Sequence, residues 1–158
     1  MRDARKKFMR AAIRLARKGM NKNSGGPFGC VIVKDGKVIA RAHNAVTDLN
    51  DPTAHAEVVA IRKACKKLKT FQLTGCEIYA SCEPCPMCFG AIYWARPDKV
   101  FFAATREDAA QAGFDDDFIY HEIDLTHAAR KIPFEAMQSK EAVTVFDEWK
   151  IKPDKSVY

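Results

Sequence analysis

The chain has 158 residues, 47% of them hydrophobic and 29% charged, with a formal net charge of +6. That composition fits a single soluble globular domain, long enough to bury roughly 70% of its unfolded surface without disulfide staples. No apolar run approaches the ~20 residues that a membrane-spanning helix needs, so such a helix is excluded. The six cysteines are read as reduced thiols. No secretory signal opens the chain, and a reducing cytoplasm is the expected compartment.

The first predicted element is a basic amphipathic helix, "MRDARKKFMRAAIRLARKGM", with Phe8, Ala12 and Leu15 at helical spacing and Gly19 where a C-cap falls. Residues 1–22 hold nine of the 26 Lys and Arg and one of the 20 acids. The remainder is therefore slightly acidic, and the positive charge belongs to one solvated helix face, not to a whole nucleic-acid-binding surface. "NKNSGGP" is a loop from Asn21 to Pro27. "FGCVIVKDGKVIARAHN" predicts two strands joined by a tight turn at Asp35-Gly36. A loop, "AVTDLNDPT", follows.

"AHAEVVAIRKACKKL" predicts a helix with Val58, Ile61, Cys65 and Leu68 on its apolar face and Arg62, Lys63, Lys66 and Lys67 opposite. "CEIYASC" is a strand. "PMCFGAIYWARP" is a helix opened by Pro86 and stopped before Pro97, and "KVFFAA" is a strand. The order β-β-α-β-α-β implies helices covering a sheet. Beyond Thr105 the pattern weakens: a short helix in "REDAAQAG", an acidic irregular stretch "GFDDDFIYHEIDLT", and a helix near "KEAVTVFDEW".

The chemistry concentrates in "HAE", His55 to Glu57, and in "SCEPCPMC", Ser81 to Cys88. Imidazole and thiolate both suit zinc, and His55, Cys85 and Cys88 make three protein ligands with a fourth position open, the pattern of a catalytic site. Both segments begin predicted helices, whose dipoles favour anionic sulfur. First-turn side chains lean past the helix end, so His55 and Glu57 can both reach there, one to bind metal and the other to face its open position. Cys82 is read as a buried small residue. An iron–sulfur run would need a cysteine at position 92, which is Ile92, and a zinc ribbon would need a second C-x-x-C. Cys30, Cys65 and Cys76 are core candidates. Trp94 is turned away from its own metal.

H-x-E followed by P-C-x-x-C is the signature of the zinc-dependent nucleobase deaminases, whose glutamate is not a ligand. Together with "GGPFG", "DPTAHAE", "GAIYWARP" and "AGFDD", it makes the chain resemble the bacterial guanine deaminases of the cytidine deaminase-like superfamily over nearly its whole length. The resemblance implies an α/β fold, a three-layer α-β-α sandwich with a mixed central sheet, and one Zn2+ per subunit. It implies hydrolysis of guanine to xanthine and ammonia, with Glu57 shuttling protons, while backbone N–H groups at the helix starts, Ala56 among them, stabilise the developing charge on the ring.

By the same resemblance Asn44 hydrogen-bonds the base. Asp116, with Asp115 and Asp117 as rivals, accepts a ring N–H, and Phe28 packs either on the purine face or in the core. The family's C-terminal segment, here about residues 140–158, is exchanged between two subunits, so that the last tyrosine, Tyr158, closes the partner's site in a homodimer. Pro153 stands in the preceding "KIKPDKSV", which fits the family pattern less well and could redirect the path. A small purine is thus the expected partner, with neither membrane nor nucleic acid. The zinc motifs alone fit guanosine deaminases and tRNA adenosine deaminases as well. Against a tRNA substrate stand the five acids and no Lys or Arg of residues 113–124, which would repel a polyanion if they rim the pocket.

Overall fold

The apolar β-branched runs form a four-stranded sheet in the computed structural model, which describes residues 2–114 and 116–157. Its strands are β1 (Gly29–Lys34), β2 (Lys37–His43), β3 (Cys76–Cys82) and β4 (Lys99–Ala104), in the order β2-β1-β3-β4. β1 is antiparallel to β2 and β3, whereas β3 and β4 are parallel. The hairpin turns at Asp35-Gly36, both with positive φ, as the sequence predicts. Val33 pairs with Val38 and Ile32 with Ala40, so Ile39 is the extra residue of a bulge.

Alternation along the strands gives the sheet two apolar faces. Cys30, Ile32 and Ile78 face α3 (Ala56–Leu68) and α4 (Pro86–Ala95). Val31, Val33 and Tyr79 face α1 (Arg2–Asn21), with Ala12 buried and Phe8 and Leu15 packed beside it. The result is the expected three-layer α-β-α sandwich with a mixed sheet. The deepest seam of α3 is Ala56, Ala60 and Ala64, not the larger residues expected there. Ile61, Cys65 and Leu68 flank it, because small side chains let the helix lie close to the sheet.

On the α1 face the approach is closer still. A Cβ at Gly29 would lie 2.2 Å from the Ala12 carbonyl oxygen and 2.6 Å from the Ala16 nitrogen, so only glycine lets β1 pass the helix. Arg5 ties α1 to β3 through Glu77 at 2.9 Å, and the Tyr79 hydroxyl donates to the same carboxylate at 2.5 Å.

Two short helices escaped the sequence reading. α2 (Val46–Leu49) lies within the expected loop, and α6 (Asp117–Asp124) lies within the stretch expected to be irregular. In α6 the acid density concealed the apolar Phe118, Ile119 and Ile123 and the favourable placing of Asp117 in the first turn. α5 (Arg106–Gln111) was legible, and Thr105 and Asp108 form its capping box. The chain divides into two compact units, one up to Asp117 and one from Phe118 onward. The second holds α6, a 3-10 turn (His127–Ala129) and α7 (Lys140–Ile151), and none of its described residues is buried. No helix among the described residues is long and apolar enough to cross a membrane.

Candidate metal centre and active site

His55 is the N-cap of α3 and Cys85 the N-cap of α4, both with extended backbone, while Cys88 lies in the first turn of α4. The sequence opens α4 at Pro86, as the structure does, but places His55 inside α3, which instead starts one residue later, at Ala56. Both starts have local causes. The Cys85 sulfur accepts the Cys88 N–H at 3.5 Å, taking the part usually played by a serine or aspartate oxygen, and Pro86 follows at N1. Thr53, Ala54 and the short hydrogen bond from His55 N–H to the Thr53 carbonyl, 2.8 Å, turn the chain into α3.

The three side chains converge. His55 Nδ1 lies 3.5 Å from Cys85 Sγ and 3.6 Å from Cys88 Sγ, and the three atoms all fall within 4.8 Å of one another. Zinc–sulfur bonds of about 2.3 Å and zinc–nitrogen bonds of about 2.0–2.1 Å at a tetrahedral angle separate N and S by about 3.5–3.6 Å. The residues therefore fit one zinc ion, and three protein ligands leave one position for solvent or substrate.

The thiols are electrostatically unequal. The hydrogen bond from Cys88 and the neighbouring His55 hold the Cys85 thiol down to about 4, and the Cys85 anion, with burial, pushes Cys88 up. His55 is raised, first by its bond to Cys85.

Glu57 is 5% exposed, and its Oε2 accepts from Cys88 Sγ at 3.4 Å. Burial pushes its carboxyl above the ordinary value, which suits a group that must both take and return a proton. Ala56, fully buried, opens α3, and the first N–H groups of a helix have no partner within it. Asn44 is 4% exposed, and its chain neighbour Ala45 donates its N–H to the carbonyl of Ala54, the residue before His55, at 2.9 Å. The charge of Asp116 acts on His55. Phe28 packs against the core and meets the Phe114 ring edge-on at 5.0 Å between centroids. Tyr158 and Asp115 lie outside the described residues.

Cys82 is buried and donates to the Thr105 carbonyl at 3.3 Å, apart from the triangle. Cys30 and Cys76 are core residues. Trp94 is 65% exposed on α4, alongside Phe89 and Tyr93. The sequence reading missed Gly25, whose backbone faces the Asn44 side chain. The paired glycines of "NSGGP" were the available signal.

Fold and centre together define a class, and the comparisons agree. The model of the cytidine and deoxycytidylate deaminase zinc-binding region matches residues 2–104, and the chain belongs to that family. Within it, the chain is 57% identical over 151 residues to the guanine deaminase of Bacillus subtilis, covering 96% of this chain and 97% of that one. The X-ray structure of guanine deaminase from Bacillus subtilis superposes with a TM-score of 0.94 at 56% identity, over 97% and 98% of the two chains. A tRNA-specific adenosine deaminase of Aquifex aeolicus is 47% identical over 97 residues, 61% of this chain and 64% of its own.

Proposed function

We propose that the chain hydrolyses guanine to xanthine and ammonia. The observation that carries this is the His55–Cys85–Cys88 triangle with the buried Glu57 carboxyl against it, in a chain alike over almost its full length to a guanine deaminase. Zinc, when bound by His55, Cys85 and Cys88, supplies the Lewis acidity that makes water a nucleophile near neutral pH.

Glu57 takes a proton from the attacking water as the C2–O bond forms and delivers it to the adjacent ring nitrogen. It then assists protonation of the departing amine as the C2–N bond breaks, releasing ammonia. The Ala56 N–H donates to the charge that develops on the base. Asn44 hydrogen-bonds the base, Asp116 accepts a ring N–H, and Phe28 closes a purine face.

The enzyme acts as a homodimer in which residues from about 140 onward are exchanged and Tyr158 completes the partner's pocket. Two features support this reading: the lack of any buried described residue beyond Phe118, and the exposed Phe89, Tyr93 and Trp94 of α4. Work in the cytoplasm suits a reduced centre. Guanosine is the alternative substrate of the same site. A tRNA substrate has the match to Aquifex aeolicus in its favour, but that match ends at 61% of the chain.

Chelation tests the reading directly. Metal-free protein should release no ammonia from guanine, and one equivalent of zinc per subunit should restore turnover; full activity without metal would refute it.

A further inference from the structure

Asn44 is more tightly constrained than a base contact needs. Its side-chain Oδ1 accepts the Val46 N–H at 3.2 Å, its own N–H donates to the Phe28 carbonyl at 2.9 Å, and its carbonyl accepts from His43 Nδ1 at 2.9 Å. That last bond puts a hydrogen on Nδ1 of the imidazole. The oxygen end of the amide is thus turned to the start of α2, with one of its two lone pairs engaged there, and the opposite end of the side chain is its NH2 group, two donors.

Gly25 is why the amide can sit this way. Its φ is +154°, a conformation that side-chain-bearing residues rarely adopt, and a Cβ there would lie 2.0 Å from Asn44 Oδ1 and 3.0 Å from its Cγ. All three of the nearest atoms belong to Asn44, its backbone oxygen at 3.2 Å included, so relieving the overlap means moving Asn44 or the loop. The loop cannot retreat easily: the Ser24 carbonyl accepts the Thr47 and Asp48 N–H groups at 3.2 and 3.4 Å, the Thr47 hydroxyl donates to the Asn23 carbonyl at 2.7 Å, and Ser24 is 2% exposed.

The geometry points to Gly25 as the positioning residue for Asn44: by lacking a Cβ it lets the amide oxygen stay on Val46 and so turns the NH2 donors toward an acceptor on the purine edge. The inference rests on the reading above in which Asn44 contacts the base.

The test uses full-length, zinc-loaded wild type, Gly25→Ala, Asn44→Ala, Asn44→Asp and the Gly25→Ala/Asn44→Ala double variant, each measured for kcat, KM, zinc content and Tm with guanine. Gly25→Ala is expected to lower kcat/KM about 10- to 100-fold, the range of one lost hydrogen bond in a closed site, with zinc content unchanged. The double variant should match Asn44→Ala. Asn44→Asp keeps the acceptor for Val46 and loses the donors, so it should fall as far as Asn44→Ala.

A Gly25→Ala enzyme with wild-type kcat/KM overturns the inference. So does a full repeat of its loss in the Asn44→Ala background, down to undetectable turnover included. So does a variant that loses zinc or its cooperative melt, because the role would then be architectural. Asn44→Ala and Asn44→Asp at wild-type kcat/KM would instead sink the base contact itself.

Discussion

Glu57 and Cys88 sit 3.4 Å apart but have opposite duties. In the proposed mechanism Cys88 holds metal and Glu57 moves protons, so their substitutions should separate two measurements. Glu57→Gln should cut kcat by about 10²- to 10⁴-fold, the usual range for a lost general acid–base, with zinc still at one per subunit. Cys88→Ser should lose zinc itself. Equal zinc loss in both variants would remove the distinction.

The triangle was legible because "HAE" and "PCPMC" pair ligand chemistry with spacing, and each stands at a predicted helix start. What was not legible is orientation. That Cys85 caps its helix through sulfur, or that Gly25 leaves room for one amide oxygen, depends on atoms brought together across the chain. Asp116 and its rivals Asp115 and Asp117 are the same residue type, so sequence could not rank them; the structure puts Asp116 within electrostatic reach of His55, and Asp115 lies outside the described residues.

At the scale of elements, α1 is held to the sheet by close approach and by one charged cluster. Gly29→Ala would press a methyl into the Ala12 backbone and should destabilise the fold by about 1–3 kcal/mol, seen as a lower urea midpoint; an unchanged midpoint would mean that α1 yields freely. The cluster carries a pH signature. The Tyr79 hydroxyl, then Arg5, hold the Glu77 carboxyl below its ordinary value.

A carboxylate depressed in the folded state adds stability above its unfolded pKa, about 4.3, and that stability is lost as pH falls through the folded value. Glu77→Gln should therefore lower the urea midpoint at pH 7, and the gap from wild type should close toward pH 3. A gap that stays constant with pH would contradict the assignment. Tyr79 runs the other way: burial, then Glu77, push its hydroxyl up to about 12, so its contribution fades only as pH rises from about 10 through that value. Strands and long helices were readable here from period and turn signals. α2 was not, because four residues give periodicity too little length, and α6 was not, because its acids masked its few apolar positions.

For the whole molecule, the +6 charge resolves into a basic first helix on a nearly neutral body, so charge alone does not make a nucleic-acid enzyme. The C-terminal unit presents Val143, Val145, Phe146 and Trp149 of α7 to solvent in the single chain, an arrangement that a second copy would relieve. On the proposed exchange of C-terminal segments, removing Val157 and Tyr158 should impair turnover while zinc content stays normal, and an unimpaired enzyme would take Tyr158 out of the site.

The central claim concerns the substrate, and one panel reaches it: ammonia release from guanine, guanosine, adenine, cytosine and tRNA by protein carrying one zinc per subunit. Guanine should be turned over with the highest kcat/KM, and tRNA should yield no inosine. Fully zinc-loaded protein that leaves guanine intact, or that deaminates tRNA in preference to it, would contradict the account.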